Sequence, residues 1–239
     1  IQAVSFQFCN KINNFLGTKT FEFFLILNGI LGVFFIGIFV GSMFGVNGFS
    51  LSDANQTQWH NKWHGLELLL DINNIFLALA LVFLTRILGA MYLINNIAID
   101  AIKDRSRSVV KKSFYLFLLF FVGFLLKMLA KDGLTYDINT KIVQIEHLKY
   151  FNSFIAMPML SIIFLVGVVL VLIGIYKTVL KKSNYGIWFA GLGTVLTVLA
   201  LMLLLGFNNN CFYISSIDIQ HSLNITNSSS SYYTLKTMG

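Results

Sequence analysis

Five long apolar runs dominate this sequence, and each is long enough, or nearly so, to cross a bilayer core, which takes about 20 helical residues. Backbone amides find no water to bond inside a bilayer, so runs of this kind are expected to be helical. The sequence therefore predicts an all-α fold, a polytopic transmembrane helical bundle with five spans. The approximate spans are 21–44, 66–93, 114–130, 154–176 and 187–207.

The composition agrees with a membrane protein and excludes a soluble one. Of the 239 residues, 56% are hydrophobic and only 11% are charged, and the mean hydropathy is +0.76. The net charge of +7 does not indicate nucleic acid, because the basic residues are scattered between apolar blocks. Cys9 and Cys211 lie in different inter-helix regions, which suggests neither a disulfide framework nor a thiolate metal site. The predicted surroundings are a lipid bilayer, with no nucleic acid.

The distribution of Lys and Arg predicts the orientation, because cytoplasmic loops retain positive charge. Alternate sides of the five runs carry ten and five of these cations, with Arg86 and Lys127 inside the runs. We therefore expect the start of the chain to be cytoplasmic and its end periplasmic. The chain begins with Ile and lacks a secretory signal pattern, so we expect a single integral-membrane domain over 1–239, truncated at both ends. Residues 208–239 are predicted to be an external loop leading to a missing last helix.

The stretch "QWHNKWHGLELLLDINN" places two histidines and two carboxylates just before an apolar run. If it is helical from about Trp59, then His60, His64, Glu67 and Asp71 share one helix face at spacings of four, three and four. Imidazole and carboxylate ligands on one stripe are able to hold a metal or to serve a haem. The alternative, which we favour, is a solvated pair of histidines. Metal binding by this pair stays open at this point.

Three ionisable residues are candidate intramembrane polar contacts, because charge at bilayer depth is costly. Glu67 and Asp71 are predicted in the first turns of the second span, where a helix amino end favours negative charge. Each carboxylate is either hydrated at the headgroups or part of a proton route or subunit contact. Arg86 lies fifteen residues beyond Asp71 and either snorkels or holds a carboxylate or a cofactor propionate of a partner. No nucleophile, phosphate-binding or zinc-protease motif is present, so we assign no catalytic residue.

Gly37 and Gly41 are four residues apart in the first span, a spacing that permits close helix contact. Such pairs are common in membrane chains of this glycine content. We predict ordinary packing here and not a dedicated subunit contact.

Three stretches resemble subunit II of the cytochrome bd-type quinol oxidases, in particular the forms of epsilonproteobacteria. They are "LTRILGAMYLINNI" at 84–97, "NFLGTKTFEFFLILNGILGVFFIGIFVG" at 14–41 and "SLNITNSSSSYYTLKTM" at 222–238. By this resemblance the five runs are similar to the fourth to eighth of roughly nine spans. The start of the chain departs from the family pattern, with Gln2, Ala3, Gln7 and Cys9 where the family has Arg, Pro, an acidic residue and Arg.

The resemblance implies a subunit of a heterodimeric terminal oxidase in the respiratory electron transport chain of a bacterial inner membrane. Such an enzyme oxidises quinol and reduces oxygen to water. Haem b and haem d would belong to the partner, subunit I, while this chain would be haem-free and support assembly and oxygen or proton access, with a possible structural quinone. No cofactor or metal is assigned to this chain. The rival interpretations are a small-molecule permease and a structural membrane protein.

Overall fold

Seven α-helices build most of the described part of the chain in the computed structural model. The structure describes residues 2–9, 11, 16–51, 57–137, 140, 142–211, 214–215 and 217. The helices are α1 (Gln2–Phe8), α2 (Thr18–Ser42), α3 (Ile72–Asn96), α4 (Asp100–Leu129), α5 (Lys149–Ala156), α6 (Pro158–Val179) and α7 (Gly186–Gly206). Five of them, α2, α3, α4, α6 and α7, are long and apolar enough to cross a membrane. The predicted all-α bundle with five spans is confirmed.

The connections between the spans form two chemically different ends. One end, here called the basic end, carries α1 and the short turns 97–99 and 180–185, and most of the Lys and Arg residues. The other, the strand end, carries six short strands within the described ranges, and they pair two by two: β1 (Val46–Asn47), β2 (Phe49–Leu51), β3 (Thr57–Trp59), β4 (Gly133–Tyr136), β5 (Val143–Glu146) and β6 (Ile214–Ser215). Strands β2 and β3, and β4 and β5, are antiparallel hairpins, while β1 and β6 are parallel. Most of the predicted external loop, 218–239, lies outside the described residues.

The helix that contains Arg86 begins later than the apolar run suggests. His64 and Gly65 have positive φ angles of 47° and 93°, and a 3-10 turn over Leu66–Leu69 follows them. Asp71 then caps α3, because its carboxylate accepts a hydrogen bond from the backbone N–H of Asn73 at 2.9 Å. The span therefore starts at Ile72 and continues to Asn96. The average hydrophobicity of the run does not reveal these local changes in backbone conformation.

Two other boundaries differ for equally local reasons. Helix α4 begins at Asp100, fourteen residues before the apolar run, because a polar segment with Lys103–Asp100 and Arg107–Asp104 pairs continues the same helix. Pro158 divides the fourth run into α5 and α6 and takes the first position of α6, where a missing N–H costs nothing.

Helices α6 and α7 pack most closely, across glycines on both helices. A Cβ built on Gly193 would stand 2.6 Å from the Gly167 carbonyl oxygen, and one on Gly174 would stand 2.7 Å from the Gly186 carbonyl oxygen. On α2, Gly37 lies against Ala78 of α3, and Gly41 also faces α3. Small residues thus let backbones approach within the chain, as is common where lipid removes the hydrophobic drive between helices.

Candidate functional site

The four residues of the proposed histidine and carboxylate stripe do not share a helix face. Trp59 ends strand β3, and the segment that follows contains turns and not a helix. His60 and His64 are exposed at the strand end, where His60 Nε2 is hydrogen-bonded to Ser50 Oγ at 2.8 Å. The helix predicted from about Trp59 is therefore wrong, and the metal hypothesis loses the geometry on which it rested. Across the described ranges, no three His, Cys, Asp or Glu side chains come together as a metal-binding group.

We expect the double substitution His60→Ala, His64→Ala to leave the metal content of the purified complex unchanged. Both side chains are exposed, so the change in folding free energy is expected to stay within about 0.5 kcal/mol. The measurement is metal per complex by inductively coupled plasma mass spectrometry, with the unsubstituted chain beside it. The loss of one equivalent of metal from the double variant would contradict this prediction.

Glu67 and Asp71 lie near the strand end of the bundle, each with a local backbone partner. Glu67 is half-buried in the 3-10 turn, and its Oε2 accepts a hydrogen bond from the Gly65 N–H at 3.0 Å. Asp71 caps α3 as described. Both carboxylates therefore have a structural role in shaping the start of the span. Asp71 also interacts electrostatically with a cation, Lys131.

Lys131, just beyond α4, lies in the electrostatic field of Asp71. Its Nζ donates a hydrogen bond to the carbonyl oxygen of Phe44 at 3.0 Å, so it closes the end of α2 and does not extend to the headgroups. Burial lowers the pKa of the Lys131 ammonium, and the Asp71 carboxylate opposes part of that shift. Asp71 and Lys131 thus form a loosely coupled pair between α2, α3 and α4.

Two buried amides beside this pair were missed by the sequence analysis. Asn73 is only 6% exposed, and neither of its amide atoms has a hydrogen-bond partner. Asn74 donates to the Leu68 carbonyl oxygen at 3.1 Å, while its Oδ1 is buried without a partner. Because unsatisfied buried polar groups are costly, these atoms mark a position suited to ordered water. Two adjacent asparagines at the start of an apolar run are the sequence signal by which these buried amides could have been identified.

A second polar cluster at the strand end surrounds Lys149, which is buried at 4% exposure. Its Nζ donates to Glu146 Oε2 at 2.7 Å, to Thr135 Oγ1 at 3.1 Å and to the Asn208 carbonyl oxygen at 3.3 Å. Burial by itself raises the pKa of Glu146, but the hydrogen bonds from Lys149 and Asn152, with the Lys149 charge, outweigh it and lower the pKa. The cluster joins the β4–β5 hairpin, α5 and the segment after α7.

Arg86 lines a cleft between α3 and α4 at the basic end. Arg105 and Lys112 line the same cleft, together with Ser108 and Ser113, and its volume is about 310 Å³. The sequence analysis identified Arg86 alone, because its two cationic neighbours come from the polar start of α4. The adjacent turn 97–99 brings them together by folding α3 and α4 into an antiparallel hairpin.

An apolar cavity of about 370 Å³ lies among all five spans. Its lining side chains include Val40, Phe44, Phe121, Val171 and Leu201, and no histidine belongs to the lining. The described histidines, His60, His64 and His147, are all exposed at the strand end. A cavity of this polarity suits a small apolar molecule.

A protein-family model described as cytochrome bd terminal oxidase subunit II matches residues 1–239. No curated protein matches the chain. The family match spans every element described above, including the strand end and the basic end.

Proposed function

Because the chain belongs to the family of cytochrome bd terminal oxidase subunit II, we propose that it is the haem-free subunit of a quinol oxidase. The match over residues 1–239 is the observation that carries this proposal. In the overall reaction two quinols give four electrons and four protons to one oxygen molecule, and two water molecules form. The haems of the partner, subunit I, would supply the electron transfer.

If the partner holds the haems, this chain would support assembly of the complex and provide routes for oxygen and protons. Oxygen is apolar and dissolves well in hydrocarbon, so the cavity among the five spans supports a role in oxygen access. The same cavity is of a size to hold part of a structural quinone. Either occupant would be excluded from water by the surrounding spans.

The strand end supports a role in proton access. The Asp71 carboxylate lies in the electrostatic field of the Lys131 ammonium, and the buried amides of Asn73 and Asn74 offer unsatisfied donors and acceptors beside them. We propose that Asp71 exchanges protons with water. Glu67 would instead stabilise the turn before α3 through its hydrogen bond with the Gly65 N–H. Arg86 lies fifteen residues beyond Asp71, in the half of α3 toward the basic end, and takes no part in the route proposed here.

The charge distribution supports one orientation in the membrane. We propose that the basic end faces the cytoplasm and the strand end the periplasm, in a bacterial cytoplasmic membrane.

A permease would be expected to break its helices near the bilayer centre, where unwound backbone binds substrate. The five spans are instead continuous α-helices, and Pro158 lies at the first position of α6. The permease interpretation therefore lacks structural support.

A tag on this chain, in its native membrane, tests the proposal. We expect a second, larger subunit to co-purify, and a reduced-minus-oxidised spectrum with haem b and haem d bands. Quinol-dependent oxygen consumption should follow the same chromatographic peak. A colourless preparation of a stable, solitary chain would refute the oxidase proposal.

A further inference from the structure

We propose that the cleft between α3 and α4 at the basic end binds the phosphodiester headgroup of one anionic phospholipid. Arg86 contributes from α3, while Arg105 and Lys112 contribute from α4. The hydroxyls of Ser108 and Ser113 line the same cleft and add hydrogen-bond donors. Guanidinium and ammonium groups with hydroxyls are the groups that bind phosphate oxygens in proteins.

The charge of the cleft is not balanced within the described part of the chain. No salt bridge reaches Arg86, Arg105 or Lys112 there, and no carboxylate lines the cleft. The neighbouring carboxylates are engaged elsewhere on α4. Asp104 pairs with Arg107 at 2.9 Å, and Asp100 lies 3.9 Å from Lys103. Three exposed cations on one concave surface, with no carboxylate among them, therefore attract an external anion.

The depth of the cleft corresponds to the headgroup layer. Arg107 donates to the Lys182 carbonyl oxygen at 3.0 Å, which places Arg107 level with the turn between α6 and α7. On α3, Met91 reaches Gly186 at the start of α7 and marks the same level. Arg86 and Lys112 each lie five residues deeper than these markers, or about 7.5 Å at 1.5 Å per residue. A ligand between Arg105 and the deeper cations thus sits just below the water-exposed turns.

The apolar side of the cleft favours a lipid over free phosphate. Leu116 lines the cleft at 42% exposure, and Leu119, one turn further toward the bilayer centre on α4, is 65% exposed. An acyl chain leaving the headgroup would lie along this face. The volume of about 310 Å³ is at the lower end of small-ligand sites, which suits a headgroup with its chains outside.

The test uses the chain purified with its native partners in neutral detergent. The probe is phosphatidylglycerol with a photoreactive diazirine in its acyl chain close to the headgroup. We expect labelled peptides from the α3–α4 hairpin around Leu116. Unlabelled phosphatidylglycerol should compete, while phosphatidylcholine and millimolar inorganic phosphate should not.

Charge variants test the site itself. At roughly fivefold per cation, Arg86→Gln, Arg105→Gln, Lys112→Gln together should weaken labelling on the order of 100-fold. The matched control removes three cations of the same end that do not line the cleft: Lys111→Gln, Lys181→Gln, Lys182→Gln. It should change labelling by less than about threefold, since screened charges outside the site contribute little. Arg86→Lys keeps the charge and should retain both labelling and the co-purifying partners.

Several outcomes would overturn the proposal. They are absence of labelling in the intact complex, equal competition by phosphatidylcholine, displacement by inorganic phosphate, and equal losses in the two triple variants. Loss of the partners from Arg86→Lys would also overturn it, because Arg86 would then make a planar contact with a partner carboxylate. Labelling of the unsubstituted protein is measured without any variant, so the test does not depend on how the variants fold. It also does not depend on oxidase activity.

Discussion

Substituting Gly193 by leucine should prevent α6 and α7 from packing and should remove most of the folded chain from the membrane. A Cβ at this position would stand 2.6 Å from the Gly167 carbonyl oxygen and 2.7 Å from the Val171 backbone nitrogen. Both are backbone atoms and cannot rotate away, so the helices must separate. We expect a loss of about 3 kcal/mol or more, at or above the upper range for overpacking. The measurement is recovery of monodisperse tagged protein in mild detergent.

The matched control is Gly191→Leu, two residues earlier on the same helix. A Cβ on Gly191 would meet no atom within 4 Å, and leucine is favourable in a lipid-facing helix. Its recovery should equal that of the unsubstituted chain. Equal recovery of Gly193→Leu and Gly191→Leu would contradict the close α6–α7 contact.

The sequence was sufficient for the number and kind of the spans, but not for their contacts. Apolar runs determine helices in a bilayer, and the resemblance to subunit II is confirmed by the family match. The sequence analysis noted the four-residue spacing of Gly37 and Gly41. These two glycines pack against α3 within the chain. The closest seam uses Gly167 with Gly174 and Gly186 with Gly193, which are seven residues apart on each helix. Only the pairing of the two helices reveals that spacing.

The candidate site was predicted less well than the fold. Arg86 was identified because a charge inside an apolar run is conspicuous. Its partners in the cleft, Arg105 and Lys112, belong to a segment that looks like an ordinary solvated loop until α4 is known to begin at Asp100. The hypothesis that His60 and His64 share a helix face with the two carboxylates was wrong because the local backbone is not helical. It assumed a helix where the positive φ angle of His64 ends any helical continuation.

Substituting Lys149 by methionine should loosen the strand end while leaving the five spans in place. Methionine has similar length but makes none of the three hydrogen bonds of the Lys149 ammonium. Glu146 is 34% exposed in its side chain, so water rehydrates part of its charge and limits the cost. We expect the strand end to lose about 2 kcal/mol, which corresponds to a factor of about 30 in its opening equilibrium.

Cys211 reports this opening, because its thiol is buried against Leu134, Tyr136 and Val143 of the β4–β5 hairpin. In a Cys9→Ser background, Lys149→Met should raise the rate of thiol labelling at Cys211 about 30-fold. Lys127→Met is the control, since Lys127 is exposed and lies 5.8 Å from the Phe76 ring without contacting the cluster. Equal labelling rates in the two variants would show that Lys149 does not hold the strand end.

The pH dependence of the same labelling separates the ion pair from simple packing. The pKa of Glu146 is lower in the folded chain than its usual value, so the carboxylate stabilises the strand end above the unfolded pKa. That stabilisation is lost as the pH falls through the folded pKa. The rate of labelling at Cys211, divided by the rate for a fully exposed model thiol at the same pH to remove the loss of thiolate, should therefore accelerate on the acid side. In Lys149→Met the main cause of the lowered pKa is gone, so the acid acceleration should weaken.

Glu146→Gln should weaken the acid acceleration as well. Adding Lys149→Met to Glu146→Gln should lower the stability of the strand end by less than Lys149→Met does in the native background, since the carboxylate charge is already absent. A full additive cost in the double variant would assign the effect of Lys149 to its other two hydrogen bonds, to Thr135 and Asn208, and not to the ion pair.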